Sequence, residues 1–452
     1  MQLKDKKVMV FGAARSGVSA AGMLKKLGAF VILYDCNINL TRNEFEDKFE
    51  TDEMFLFITG VLSEEILNTI DLLIISPGVP CDHPDIIRIK DKGIPIWGEI
   101  ELAYRYTKGK IIGITGTNGK TTTTTLVGKI MRTYFPEVYV VGNIGNTYTD
   151  VALNSTEEAV TVIELSSFQL ETIVEFKPDI STILNITPDH LDRHHTMEKY
   201  IAAKERIAEN QTMSDLCILN YEDEFLRTIA SRLHTNVIFF SSRRILEQGL
   251  YLEDDGIYYA NGKSKFMICN IGELHVLGKH NYENVMAAVG IAITMGIPIE
   301  SIRKALINFK GVEHRIEYVE MIHGVTYYND SKGTNPDASV KAIQAMMNPT
   351  ILIAGGYDKK VSFDNWIEAF EDKVKCLILL GQTKKQIAKV AKKHGFHNVI
   401  MVEDLQEAVR ISAQKAIPGD VVLLSPACAS WGMFKDFEQR GNLFKQYVRE
   451  MI

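Results

Sequence analysis

Short apolar runs rich in β-branched residues alternate along the chain with stretches whose apolar positions recur every three or four residues. The first kind of run predicts buried strands and the second amphipathic helices, and their alternation predicts parallel α/β sheets. The first unit reads as a strand over 7–11, a glycine turn over 12–17, a helix to about residue 28 and a strand over 30–34. A strand over 72–75 then ends in Ser76-Pro77-Gly78. A second start comes at Lys110, where a strand over 111–115 enters another glycine turn and a Thr-rich helix, with strands near 160–165 and 181–185. Between about 236 and 270 the texture changes, and Asp255-Gly256 and Asn261-Gly262 signal antiparallel hairpins. Helical patterns over 280–297 and 301–309 follow, and a third unit opens near Val312 with strands over 350–354, 375–380 and 421–425. No internal repeat or Pro/Ser-rich spacer marks the joints, and the pattern places three domains at 1–98, 99–311 and 312–452.

Composition narrows the class. The 452 residues are 46% hydrophobic and 24% charged, an ordinary globular balance that excludes a mainly disordered chain. Fifty Lys+Arg against 57 Asp+Glu leave a net charge of −7, which argues against a nucleic-acid backbone as partner. Six cysteines without a CxxC pair suit reduced thiols better than a disulfide framework or a structural zinc. The start MQLKDKKVMVFGAARSG has no signal-peptide pattern, and the apolar stretch 286–299 is too short to span a bilayer. A soluble cytoplasmic protein without membrane insertion is expected.

The strongest chemical signal is Ile114-Thr115-Gly116-Thr117-Asn118-Gly119-Lys120-Thr121, followed by Thr122, between a strand and a helix. Glycines let backbone N–H groups turn toward phosphates, a lysine adds positive charge, and a threonine hydroxyl suits Mg²⁺. Ile114 stands where a strict Walker pattern has its first glycine. Glu164, at the end of an apolar strand, is placed as a metal-polarising carboxylate, although Ser166 and Ser167 beside it also suit a helix cap. The run Asn185-Ile186-Thr187-Pro188-Asp189-His190-Leu191-Asp192-Arg193-His194-His195 reads as a polar site; His190 and His194 have zinc-pair spacing but lack a third ligand. By pattern alone, Lys204 is a solvated lysine on a helix. Polar clusters at Gly278–Asn284, His314-Arg315, Asn329–Pro336, Gly355–Lys360 and Ser425–Trp431 each follow an apolar strand or open a helix, where α/β sheets place ligands. Gly12-Ala13-Ala14-Arg15-Ser16-Gly17, with Asp35 downstream, approximates a dinucleotide fingerprint without its central glycine, and on its own leaves a nicotinamide-dependent dehydrogenase open.

Taken together, GTNGKTTT, GNIG, ELSSFQLE, TPDHLDRH, AAKERI, GKHNYEN, HRIE, NDSKGTNP, GGYDK and LLSPACASWGMF follow the order and spacing of the Mur ligases, and the chain resembles that family over essentially its whole length. The resemblance implies a Rossmann-like N-terminal domain, a central P-loop ATPase-like domain with a small antiparallel part, and a Rossmann-like C-terminal domain. It further implies a monomeric, cytoplasmic, ATP-dependent ligase of peptidoglycan synthesis, joining D-glutamate to UDP-N-acetylmuramoyl-L-alanine through an acyl phosphate. Gly116 to Thr122 would hold ATP phosphates, with Asn284, Arg315 and Asp330 around adenine and ribose. Two Mg²⁺ ions would use Thr121, Glu164, His190 and a carbamylated Lys204, which makes Lys120, Glu164, His190 and Lys204 the catalytic set. Arg15, Ser16, Asp35, Ser76, Gly78 and Asn143 would hold the UDP-sugar, and Lys332, Thr334, Lys359, Ser430 and Phe437 the acidic amino acid. Folylpolyglutamate synthases also use a P-loop but lack the segment of roughly 100 residues that precedes it here. Members that add a diamino acid carry an Asp-Asn-Pro-Arg motif absent from this chain. A nucleotide switch without ligation would bind nucleotide and make no amide.

Overall fold

The computed structural model of the chain describes residues 2–41, 45 and 53–452. Among the described residues three sheets carry the fold, and the chain divides into two compact units, Met1–Cys269 with Glu283–Ala305, and Asn270–Tyr282 with Leu306–Ile452.

In the first unit, β1 (Lys7–Phe11), β2 (Phe30–Asp35), β3 (Phe55–Thr59), β4 (Leu72–Ile75) and β5 (Ile96–Gly98) form an all-parallel sheet in the order β3-β2-β1-β4-β5. All four residues of β4 are buried, which explains a continuous apolar run rather than an alternating one. The strand order reverses between β1 and β4, so a crevice opens beyond their carboxyl ends. There Gly12 takes φ +103°, and a Cβ on it would lie 2.9 Å from Ser76. Neither β3 nor the three-residue β5 was expected from the pattern.

The second sheet of this unit has nine strands: β6 (Lys110–Thr115), β7 (Val138–Gly142), β8 (Val160–Glu164), β9 (Ile180–Ile183), β10 (Leu216–Asn220), β11 (Asn236–Ser241), β12 (Gln248–Glu253), β13 (Gly256–Asn261) and β14 (Lys265–Asn270), in the order β14-β13-β12-β11-β10-β9-β6-β8-β7. β11 pairs in parallel with both β10 and β12, so the antiparallel excursion begins only at β12/β13, later than the change of texture at 236 suggests. Glu253 pairs with Gly256, which puts the turn at Asp254-Asp255, one residue before the Asp-Gly signal. Asp254 absorbs the left-handed step at φ +49°.

In the second unit, β15 (Glu317–Ile322) and β16 (Val325–Asn329) form an antiparallel hairpin at one edge, which the pattern did not reveal. β17 (Thr350–Ala354), β18 (Val374–Leu379), β19 (Val399–Met401) and β20 (Val421–Leu424) continue the sheet in parallel, in the order β15-β16-β20-β17-β18-β19. The loops after β16, β20 and β17 therefore emerge side by side. Among the described residues no helix is long and apolar enough to cross a membrane.

One buried carboxyl in the first unit has a measurable consequence. Glu99 Oε1 accepts from Gln169 Nε2 at 2.9 Å, while its Oε2 has no hydrogen-bond partner among the described residues. Burial pushes this carboxyl up from 4.5 to about 7. Between those values the folded state keeps a proton that the unfolded chain releases, so stability falls as pH rises through that window. Glu99→Gln removes the penalty: its stability relative to the parent chain should improve by on the order of 3 kcal/mol between pH 4 and pH 8. Denaturant titrations at the two pH values check this, and a difference that does not change with pH contradicts it.

Candidate phosphate-binding and ligand sites

β6 is flanked by β8 and β9, and its carboxyl end runs into the glycine loop that starts the helix α1 (Lys120–Met131). Gly119 caps that helix at φ +86°, and a Cβ there would fall 2.1 Å from Asn284 Oδ1, so only glycine fits. Asn284 thus packs against the last turn of the loop. The loop is tied down on its other side, where Thr117 N–H donates to Asn185 O at 2.9 Å and Asn118 N–H to Asn185 Oδ1 at 2.8 Å. Thr121 and Thr122 lie half-buried in the first turn of α1.

Two lysines converge on one carbonyl of this loop. Lys120 Nζ donates to Gly116 O at 2.8 Å and to Thr117 O at 2.9 Å, and Lys204 Nζ donates to Gly116 O at 2.9 Å. The pattern reading of Lys204 as solvated is wrong, because the residue is 2% exposed. It lies on the helix α2 (Met197–Glu205), one turn after buried Tyr200, whose ring centroid is 4.7 Å from Nζ. Burial, then repulsion from Lys120, brings its pKa down to about 7.

Glu164 ends β8 beside the loop, in register with Ile114 of β6. Its Oε1 accepts from Asn143 Nδ2 at 3.0 Å, and its Oε2 is buried with no hydrogen-bond partner among the described residues. An orphaned carboxylate oxygen at a strand end fits a hard dication. His190 stands half-exposed at φ +52°, its ring 5.0 Å from Phe168 and its Nε2 3.6 Å from Asp189 Oδ2. His194, by contrast, is buried. Its Nε2 meets Ser167 Oγ at 2.9 Å and its Nδ1 lies 3.3 Å from Glu171, so the pair spacing creates no zinc site. Arg193, a member of the polar run, donates to Val79 O at 3.0 Å and pairs with Glu171 at 2.8 Å, tying this segment to the loop after β4.

The crevice after β1 and β4 opens into a cavity of about 570 Å³ lined by Arg15, Ser16, Asp35, Ser76, Gly78 and Asn143, among others. Arg15 donates to Gly145 O, and the Ser76 hydroxyl donates to Gly12 O at 3.1 Å. Both Asp35 oxygens accept backbone N–H groups, from Ala13 at 2.8 Å and Asn37 at 2.9 Å. The acidic residue of the fingerprint spacing thus braces the glycine turn itself.

In the second unit, the three adjacent strand-end loops carry the remaining candidates. Asp330 is buried, accepting from Ser425 Oγ at 2.7 Å and Ile316 N–H at 3.3 Å, and burial pushes its carboxyl up to about 7. Lys332 Nζ lies 5.5 Å from the ring centroid of Phe437, and Lys359 Nζ 5.2 Å from that of Trp431, which packs edge-on to Tyr357. Ser430 is buried, Thr334 half-buried and Arg315 exposed. Sequence reading missed Arg440, which is 2% exposed and donates to Ser331 Oγ, Ser331 O and Cys428 O at 3.0, 2.8 and 3.1 Å. It cross-braces the loops after β16 and β20. Its signal is faint, a charged residue one helical turn after Phe437.

A glycine loop between strand and helix, met by two lysines and a strand-end carboxylate, makes this a protein of the P-loop α/β class. Family models extend the assignment. The Mur ligase MurD-like N-terminal domain matches residues 6–98, the Mur ligase middle domain 114–292, and the Mur ligase glutamate ligase domain 314–428. The chain belongs to the Mur ligase family. It is 55% identical to the UDP-N-acetylmuramoylalanine--D-glutamate ligase of Lachnoclostridium phytofermentans, over 100% of this chain and 99% of the relative. It is 54% identical to the enzyme of that name from Lachnospira eligens, over 100% of both. Among solved structures, UDP-N-acetylmuramate-alanine ligase MurC from Thermotoga maritima shares the fold at a TM-score of 0.57 and 20% identity, covering 99% of this chain and 100% of that one.

Proposed function

We propose that the chain is an ATP-dependent ligase that joins D-glutamate to UDP-N-acetylmuramoyl-L-alanine, acting as a cytoplasmic monomer. The segments 1–98, 99–311 and 312–452 divide the work as nucleotide-sugar, ATP and amino-acid domains. Lys204, buried against the phosphate loop, is the observation that carries the reading, because a nucleotide switch without ligation has no use for a costly buried lysine there.

The reaction must bring two anions together, the substrate's alanyl carboxylate and the γ-phosphoryl group of ATP. Backbone N–H groups of Gly116 to Thr122 and the N-terminus of α1, worth about half a positive charge, cradle the phosphates. Lys120 neutralises charge on the transferred oxygens. Asn284, Arg315 and Asp330 hold the nucleoside. The cavity residues Arg15, Ser16, Asp35, Ser76, Gly78 and Asn143 hold the UDP-sugar, with Asp35 acting through the turn it braces. Lys332 and Lys359 attract the carboxylates of the incoming amino acid, while Thr334, Ser430 and Phe437 shape its pocket. The amine then attacks the acyl phosphate and phosphate leaves.

Thr121 and Glu164 would hold one Mg²⁺, and His190 with a carbamylated Lys204 a second. Mg²⁺ supplies charge neutralisation at the phosphoryl oxygens. A carbamate turns the Lys204 cation into an anionic oxygen donor, which removes a charge that would repel a metal.

Incubation with ATP, Mg²⁺ and UDP-N-acetylmuramoyl-L-alanine tests the reading, with D-glutamate, L-glutamate, L-alanine or a diamino acid supplied separately. ADP and an amide product are expected with D-glutamate alone. Turnover without an amide, or with a different amino acid, overturns it.

A further inference from the structure

We infer that Cys36, His83 and Asp85 form a zinc site at the rim of the nucleotide-sugar cavity. Cys36 follows β2 directly, and His83 and Asp85 open the helix Pro84–Asp91 that follows β4, so the fold brings the ends of two strands together. One ligand atom from each of the three residues lies within 4.8 Å of the other two. Cys36 Sγ is 3.7 Å from His83 Nε2, close to the edge of a tetrahedron built on Zn–S and Zn–N bonds of roughly 2.3 and 2.0 Å.

The surroundings hold these groups near one another. The Tyr34 hydroxyl is 3.4 Å from Cys36 Sγ and 3.2 Å from Asp85 Oδ2. Arg88 occupies Asp85 Oδ1 at 2.7 Å, which leaves Oδ2 as the ligand oxygen. The His83 ring packs edge-on against Phe11, and its Nδ1 accepts the Asp85 N–H at 3.2 Å. Ligation through Nε2 moves the ring proton to Nδ1, so that cap contact is exchanged for the metal bond. The Cys36 thiol loses its proton to solvent as the S–Zn bond forms, which makes binding weaken as pH falls. A mixed thiolate, imidazole and carboxylate set selects zinc over magnesium or calcium, which prefer oxygen alone.

Cys36 and His83 also line the cavity that holds Asp35 and Ser76. Zinc on them takes up room that the proposed nucleotide-sugar needs, and by linkage each ligand weakens the other. This overlap rests on the proposed function, whereas the metal site does not.

Zinc binding to the untagged full chain is measured by competition with a chromophoric chelator. Cobalt substitution, read as a near-ultraviolet sulfur-to-cobalt band, reports the thiolate. One zinc per chain is expected. Cys36→Ser, at an exposed position, should abolish the cobalt band and weaken zinc by more than the roughly tenfold to hundredfold that loss of an outer-shell partner costs. His83→Gln should weaken zinc comparably, and Cys81→Ser should change nothing. Absence of zinc binding, or binding indifferent to Cys36→Ser and His83→Gln, overturns the site. UDP should raise the apparent zinc dissociation constant in proportion to its concentration. Zinc binding that UDP leaves unchanged overturns the overlap alone.

Discussion

Lys120→Ala should nearly abolish ATP-dependent phosphate release, lowering turnover by about a hundredfold to a thousandfold, the scale seen when a charge-stabilising donor is removed from a reacting centre. The helix should survive the change. Lys120 is its first residue, alanine is the best helix former, and the Nζ hydrogen bonds to Gly116 O and Thr117 O stay within the same loop. Phosphate release in a single turnover, measured beside a thermal melt, separates chemistry from folding. A folded variant with undiminished turnover would remove the phosphate loop from the mechanism.

The second large effect concerns Lys204. Lys204→Ala should lower activity by on the order of a hundredfold or more, and a short carboxylic acid should restore part of it by placing an anionic oxygen in the space left by the side chain. In the unsubstituted chain, a pKa brought down to about 7 by burial and by Lys120 leaves the amine largely neutral at pH 8. A neutral amine attacks CO₂, the N–C bond forms and a proton leaves, so activity should fall when bicarbonate is stripped and recover when it is returned. Isotopically labelled bicarbonate followed by carbon NMR checks the adduct directly. Recovery that depends on bicarbonate in Lys204→Ala as well would place the effect elsewhere.

Much of this architecture was legible in the residue order. The buried strands announce themselves because β4 is apolar throughout and β8 is apolar at three of its five buried positions, as a parallel sheet covered on both faces demands. Glycine loops are equally visible, since the left-handed conformation at Gly119 and its closeness to Asn284 exclude any side chain. Short or half-exposed strands are not. β3 has only one fully buried residue, and β5 owes its place to pairing with β4. Propensity carries little information where a long-range partner makes the strand.

Lys204 shows the same limit in a functional residue. Its neighbours Tyr200, Ala203 and Ile207 are buried on one helical face, and position 204 lies on it by spacing, yet the lysine side chain argues for water. Arg440 misleads in the same way, because the carbonyls that receive it come from loops about 12 and 109 residues away in sequence. His194 errs in the opposite direction, with the spacing of a metal pair and the surroundings of a core histidine.

The sequence by itself determined the α/β class, the phosphate loop with Lys120 and Thr121, and the strand-end position of Glu164, since each rests on local backbone geometry and periodicity. Only the tertiary structure decided that Lys204 meets the Gly116 carbonyl, that one Glu164 oxygen finds no partner among the described residues, that Asp35 braces a turn, and that Cys36 faces His83. These depend on which strand ends lie side by side and on what water is excluded from, and desolvation is a property of the assembled surroundings rather than of neighbours in the chain.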